Sequence, residues 1–319
     1  MFNRCFIRDE YKPKIKLQEA FSFDSVNKQK KTINAYDIII EQKISEGVEK
    51  LISGKGNELT IEDKRFFMSL PPETYKTNDN EIRELVSNYV KVIGNGANLN
   101  WIDTTDITDM SRLFCNSKFN GDISGWNTSN VTNMRWMFFD SDFNGDISSW
   151  DVSNVTNMER MFTDTPFNGD ISKWNTHNVT NMRFMFFQTV FNGDVSQWDV
   201  SNVTDMESMF DTSKFDGDLS KWNVGKVTMM KKMFMHSIFD GDISNWNVSK
   251  VTNMNGMFWH SEFNHDISKW NISNVKDMGV MFKNSAFRQN ISNWNLSKVE
   301  KTNNIFKGCH IRNDYKPHF

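Results

Sequence analysis

From residue 119 onward the apolar residues occupy fixed places in a 24-residue frame, and polar residues fill the rest. Trp stands at 126, 150, 174, 198, 222, 246, 270 and 294, and Phe at 119, 143, 167, 191, 215, 239, 263 and 287. A second Phe column runs from Phe138 to Phe306, and Met columns run from Met134 to Met278 and from Met137 to Met281, all with the same step. One unit reads F-N-G-D-I-S-x-W-N/D-V/T-S-N-V-T-N-M-x-x-M-F-x-x-S/T-x, with no insertion or deletion between copies. A unit of this size cannot bury its apolar face alone, so the copies must stack into a solenoid whose identical residues form internal ladders.

Within a unit, the stretch from Gly145 to Trp150 carries a turn dipeptide and β-favouring residues, which predicts a short strand. Val155, Met158, Met161 and Phe162 share one face of a helical turn or two, with Ser153 or Asn154 at the N-cap. The expected fold class is an α/β repeat solenoid, one strand and one short α- or 3₁₀-helix per coil, preceded by a small helical domain. The array is expected over residues 101–304. Its first coil is degenerate, with Ile102 in the Trp place and Trp101 one residue out of register, and its last loses the Met columns to Thr302 and Ile305.

Residues 16–100 lack the period and are expected to form the helical domain that caps the array. Helices are predicted from Tyr36 to Ile52, stopped by Gly54 and Gly56, and from a capping box at Thr60–Asp63 to about Leu70, before Pro71. A third runs from Glu81 to Ile93, ended by Gly94, and it is expected to seal the first coil; residues 73–80 read as an exposed loop. Residues 305–319 form the C-terminal cap. Residues 1–15 resemble that cap without gaps, matching at Phe2/Phe306, Cys5/Cys309, Ile7/Ile311, Arg8/Arg312, Tyr11/Tyr315, Lys12/Lys316 and Pro13/Pro317. This cap-like segment reads either as a duplication relic or as a contact for self-association or an assembly neighbour.

Composition narrows the function. The 38 % apolar content is rich in Phe, Met and Trp, side chains large enough to fill a narrow core with few residues per turn. A net charge of −3 without a basic stripe gives no reason to expect nucleic acid. No apolar run is long enough for membrane insertion, and three scattered cysteines make neither a disulfide framework nor a zinc site. The N-terminal MFNRCFIRDEYKPKIK has no apolar export signal, so a cytoplasmic or virion-associated chain is expected. A cell-surface location would need an upstream extension of the gene or signal-independent export.

Candidate chemistry is sparse. Asp122, Asp146, Asp170, Asp194, Asp218, Asp242 and Asp266 form a ladder that calcium could use, although Gly-Asp before an apolar residue also suits a turn whose carboxylate accepts backbone N–H groups. The turn reading is preferred, and no metal or other cofactor is expected. The Asn-Val-Thr strings at Asn130, Asn154, Asn178 and Asn202 match glycosylation acceptors but are explained by the repeat. His236 and His260 fall in equivalent places of adjacent coils and lack a third ligand. No nucleophile–base arrangement or phosphate loop stands out, so no catalytic residue is assigned. The lattice leaves certain columns free, and there lie Trp136, Phe139, Phe184, Phe187, Met235 and Trp259. They either pack in a second layer or at the turn, or form an apolar patch for a partner.

The string DISxWDVSNVTNMxxMF, recurring through residues 102–319, resembles the BspA-like leucine-rich-repeat proteins, mostly of bacteria and their phages. That resemblance implies a leucine-rich-repeat-like solenoid and a role in adhesion or recognition; family members usually carry an export signal, which this sequence does not display. The expected function is a non-enzymatic interaction scaffold with a protein partner. The alternative is a structural component of a larger assembly such as a phage virion.

Overall fold

The computed structural model describes residues 35–318, so the cap-like segment at 1–15 lies outside the described residues. Three helices form where the amphipathic pattern predicts them: α1 (Ala35–Ile52), α2 (Ile61–Met68) and α3 (Ile82–Ile93). At the start of α2, Thr60 Oγ1 accepts the Asp63 N–H at 3.1 Å while the Asp63 carboxylate accepts the Thr60 N–H at 3.0 Å. This reciprocal pair satisfies two donors that a helix N-terminus otherwise leaves unpaired. The helix α3 stops at Gly94, whose φ of +115° few side chains would tolerate. Val48 and Leu51 of α1, Phe67 of α2 and Leu85, Val86 and Tyr89 of α3 form the buried core of this region.

From Ile102 the chain winds as a solenoid of stacked 24-residue units, held in parallel register by single backbone pairings from Asp109 to Asn133, Asn157 and so on to Lys301. The strand and the helix expected in each coil do not form. Two positions per coil hold a positive φ, between 49° and 72°. One column runs Arg112, Trp136, Arg160, Phe184, Ser208, Lys232, Gly256, Val280, Asn304, and the other lies four residues later, from Asn116 to Gly308. A left-handed residue at each of these places ends a helical turn before it can propagate. What forms instead is a run of four-residue turns, with Met137 N–H on Met134 O and Phe139 N–H on Trp136 O, both at 3.2 Å. These turns still point Met134, Met137 and Phe138 inward, which is why their spacing imitates a helix.

Successive coils are joined by a four-bond backbone row that donates toward the C-terminal end and by a Thr column, as Thr156 N–H on Thr132 O at 2.9 Å, that donates back. The N–H groups of Met134, Trp136, Phe138 and Asp140 donate to the carbonyls of Asn157, Glu159, Met161 and Thr163 in the next coil, at 2.8–3.0 Å. The same four-bond row recurs from Met110 to Asn284, always donating toward the C-terminal end.

The interior consists of stacked rings and Met. Each Trp of the 24-residue column, from Trp126 and Trp150 to Trp294, is at most 5 % exposed, and the Trp126 and Trp150 rings lie 6.5 Å apart and nearly parallel. Phe138 stacks on Phe143 within its coil at 4.1 Å and on Phe162 of the next at 5.8 Å. The Trp column also supplies a polar link that Phe could not. Trp150 Nε1 donates to Ile123 O of the preceding coil at 3.2 Å, and the same bond recurs to Trp294 and Ile267. A buried indole N–H is thereby satisfied while it staples two coils.

Residues 73–80 are more than the exposed loop expected. β1 (Tyr75–Lys76) pairs in parallel with β2 (Ile102–Asp103) at the start of the array, and Thr77 is buried. Beyond it the Asp79 carboxylate accepts from Thr108 N–H at 2.9 Å, Thr108 Oγ1 at 2.6 Å and Asp109 N–H at 3.2 Å. In the next coil the equivalent three groups, of Thr132 and Asn133, all donate to the Thr108 carbonyl. Asp79 therefore stands in for the carbonyl of a coil that does not exist. Arg83 of α3 stands in for a missing donor, reaching the Ser111 carbonyl and, at 3.2 Å, Ser111 Oγ. Trp101 packs beside Phe67 and Tyr89, with centroids 5.3 and 5.2 Å away, which joins the helical core to the ring ladder.

Candidate interaction surface

The six aromatic and Met residues singled out from the free columns fall on the outer side of the Met-rich turns, all half-buried. Their ring contacts, among the described residues, are with neighbours in the array and not with α1, α2 or α3. The coil spacing sorts them into two groups. Trp136 and Phe139 touch at 4.6 Å, and two coils away Phe184 and Phe187 meet edge-on at 5.6 Å. Met235 and Trp259 lie farther along, with buried Asp211 in the intervening place of their column.

The cations between the rings were not legible as part of this surface. The Arg160 guanidinium lies 5.1 Å from the Trp136 ring centre and 4.0 Å from that of Phe184, and Arg112 covers the far side of Trp136 at 5.1 Å. Arg112, Trp136, Arg160 and Phe184 thus form one alternating column in which planar guanidinium groups stack on aromatic faces. Beside it runs a column of alternating charge. Arg135 pairs with Glu159 at 3.1 Å, and Arg183 and Lys231 both pair with the nearly buried Glu207, at 2.8 and 3.0 Å. These charges neutralise one another within the array, whereas among the described residues no carboxylate lies within ion-pair distance of Arg112 or Arg160, and Glu159 and Glu207 act on Arg160 only through space. A periodicity search passes over such a column because its members differ in kind from coil to coil.

The backbone under this surface is costly. Trp136 and Phe184 have φ of 60° and 55°, and Val280 has 54°. A non-glycine residue in this region costs on the order of 1–2 kcal/mol, and Asn or Asp bear it better than bulky or branched residues. Gly256 shows that the column admits glycine, yet most coils carry a large side chain there.

The other candidate chemistry resolves into structure. Each ladder Asp accepts the N–H of the serine two residues on, as Asp146 does from Ser148 at 2.9 Å and Asp194 from Ser196 at 2.8 Å. That backbone N–H, and next the serine hydroxyl, hold the carboxyls of Asp146, Asp170, Asp194, Asp242 and Asp266 below the usual range. The Asn of the Asn-Val-Thr strings donates to the preceding coil, Asn154 Nδ2 to Ser129 O at 2.7 Å and Asn202 Nδ2 to His177 O at 2.7 Å. The His236 and His260 rings do approach, with centroids 5.0 Å apart, and Asn284 Nδ2 sits 2.9 Å from His260 Nε2. Burial, and then the neighbouring His236 and Lys283, lower the pKa of His260. Among the described residues no three His, Cys, Asp or Glu side chains are grouped to hold a metal ion, and no helix is long and apolar enough to cross a membrane.

No curated protein and no solved structure matches the chain. The DUF285 family, described as "Mycoplasma protein of unknown function", matches residues 81–189, 163–238 and 235–317. The three matches follow one another from the first turn of α3 to the end of the array and together span well over half of the sequence. With a regular 24-residue aromatic lattice underlying three tandem matches, the chain belongs to the DUF285 repeat family.

Proposed function

We propose that the array is a non-enzymatic scaffold that binds a protein partner through the column of Arg112, Trp136, Arg160 and Phe184 with the adjoining Phe139 and Phe187. The observation that carries this reading is the strained backbone under the column. Large side chains are kept where glycine would remove the strain, and backbone strain concentrates at functional sites. Half-buried aromatics held rigid by stacked arginines are the composition of binding hot spots. Arg112 and Arg160, without an ion-pair partner among the described residues, favour a partner segment that sets carboxylates between apolar residues. The resemblance to BspA-like leucine-rich-repeat proteins points the same way, toward recognition, and what supports it is the 24-residue parallel stacking.

The test is a displayed peptide library selected on the intact chain and counter-screened on a Trp136→Ala/Phe184→Ala variant with unchanged melting. Selected peptides are expected to carry acidic and apolar residues and to bind the variant at least about tenfold more weakly, a loss of about 1.4 kcal/mol. Peptides that bind both forms equally would place the recognition surface elsewhere.

A second reading, a structural component of an assembly, is favoured by a different observation: the uncovered row of donors at the C-terminal end of the array.

A further inference from the structure

The last coil differs from every coil before it in what it leaves unpaired. By the register of the array, the N–H groups of Thr302, Asn304, Phe306 and Gly308 should donate onward, as those of Met278, Val280, Phe282 and Asn284 donate to Lys301, Asn303, Ile305 and Lys307. Among the described residues none of the four finds an acceptor. The apolar columns are uncovered at the same place. Phe306 stacks on Phe282 at 5.8 Å but is only half-buried, as are Leu296 and Val299, whereas Ile272, Val275 and Phe282 one coil earlier are fully buried. Trp294, Leu296, Val299, Thr302 and His318 line an open cleft of about 490 Å³ beside this row. A row of free N–H groups beside exposed apolar side chains is a template for one more layer of chain.

We infer that this end of the array receives residues 1–15 of a second copy of the chain, an inference that rests on the assembly reading and not on the lateral surface. Each layer of the solenoid stacks on a layer of like sequence, and residues 1–15 are the one stretch outside the array that repeats its last layer, residues 305–319, without a gap. The register fixes the contacts. Since Phe282 N–H donates to Ile305 O and Asn284 N–H to Lys307 O, Phe306 N–H would donate to Met1 O and Gly308 N–H to Asn3 O. Phe2 would extend the ring column over Phe306, and Ile7 would cover Ile311.

A neighbour's N-terminus is favoured over the chain's own by the entropic cost of stretching a linker far beyond its average span. Eight pairings separate Asp109 from Lys301, which at about 4.8 Å per layer puts the open end about 40 Å from the helical region. A stretch as long as residues 16–34 spans about 25 Å on average as ordinary chain. The resulting contact is head-to-tail, so each copy offers a further end to the next and association gives rings or open multimers.

The same register gives a covalent test. Ser285 Oγ lies 3.8 Å from Cys309 Sγ in one column, so Cys5 stacked on Cys309 would bring two sulfurs to a separation that a disulfide can bridge. The full chain carrying Cys115→Ser is treated with diamide, which takes two electrons and two protons from each thiol pair. Non-reducing electrophoresis is expected to show dimers and higher multimers that dithiothreitol reverses, with Cys5–Cys309 as the linked peptide pair. Cys5→Ser and Cys309→Ser should each abolish them. Without oxidant, deletion of residues 1–15 should reduce the sedimenting species to monomer, while Trp136→Ala should leave association unchanged. A Cys5–Cys309 link confined to monomers would overturn the second-copy occupant. Equal sedimentation with and without residues 1–15, together with no Cys5–Cys309 product, would overturn the docking itself.

Discussion

The two ends of the array face the same problem and meet it differently. A lattice whose four-bond row donates toward the C-terminal end, while the Thr132 column donates back, leaves carbonyls of the row and donors of that column unpaired at its start, and donors of the row unpaired at its finish. At the start, the helical region supplies single side chains that imitate a coil, the Asp79 carboxylate in place of a carbonyl and the Arg83 guanidinium in place of an N–H. At the finish, the tail from Ile305 continues the coil path, buries Ile311 and lends its Tyr315 carbonyl to Ile291 N–H at 3.0 Å, but it offers no acceptor to its own outward donors. A repeat sequence can copy its interior without limit, and only irregular residues can end it. Among the described residues, one end has them and the other does not.

Between the ends every coil is covered on both sides, which sets the reference for substitutions. Trp198→Ala in mid-array is expected to cost about 3–5 kcal/mol, through the cavity and the loss of the bond from Trp198 Nε1 to Ile171 O, measured by chemical denaturation. Lys221→Ala, beside Trp222 on the exposed side, serves as its control and should cost less than about 0.5 kcal/mol. Equal effects at the two positions would contradict the inward face.

Asp79→Ala, at the capped end, should cost about 2 kcal/mol because it strands three donors at Thr108 and Asp109. Its effect depends on pH. Burial pushes the Asp79 carboxyl up, but the bonds from the Thr108 hydroxyl, Thr108 N–H and Asp109 N–H outweigh it and leave the pKa below the ordinary value. A depressed carboxylate pKa stabilises the fold above the unfolded value and loses that contribution as pH falls through the folded one. The gap in melting temperature between wild type and Asp79→Ala should therefore narrow as pH falls from 7 through about 4 and below. A gap constant over that range would show that the carboxylate charge is not what Thr108 and Asp109 need.

Phe306→Ala, at the uncovered end, should cost only about 1 kcal/mol, because another ring stacks on one face alone and the residue is only half-buried. A cost matching that of Phe210→Ala in mid-array would mean that the end is sealed. The smallest effect is expected from calcium chelation, which should leave the melting temperature unchanged, since the Asp ladder is occupied by serine N–H groups. A fall of many degrees, restored by calcium alone, would reassign the ladder.

The interior was legible residue by residue, because a ladder of identical residues states which side chains point inward. The three helices and the capping box at Thr60 were legible because caps, glycine stops and amphipathic faces agree there. The backbone of the coil was not. Its left-handed positions carry Trp, Arg, Phe, Ser, Lys and Val in one column and Asn, Asp, Gln, Thr and His in the other, and the glycine that would have marked them occurs only at Gly256 and Gly308. Spacing alone therefore imitated a helix. The bond from each indole N–H to the coil before it was hidden in the Trp column, where burial alone was an adequate reason for the residue. Asp79 and Arg83 were missed because a side chain that replaces a coil appears once and leaves no period, and Arg160 because its column changes chemistry at every step.

Amide hydrogen exchange, resolved residue by residue by NMR on the dilute chain, tests the difference between the ends most directly. Thr302 and Asn304 are the right probes, since the docking inferred for residues 1–15 would pair only Phe306 and Gly308. Their N–H groups are expected to exchange on the order of a thousandfold faster than those of Met278 and Val280, which occupy the same places one coil earlier and are bonded onward at 3.0 and 2.9 Å. Equal protection in the two coils would contradict the account, because it would mean that the C-terminal row already has its acceptors.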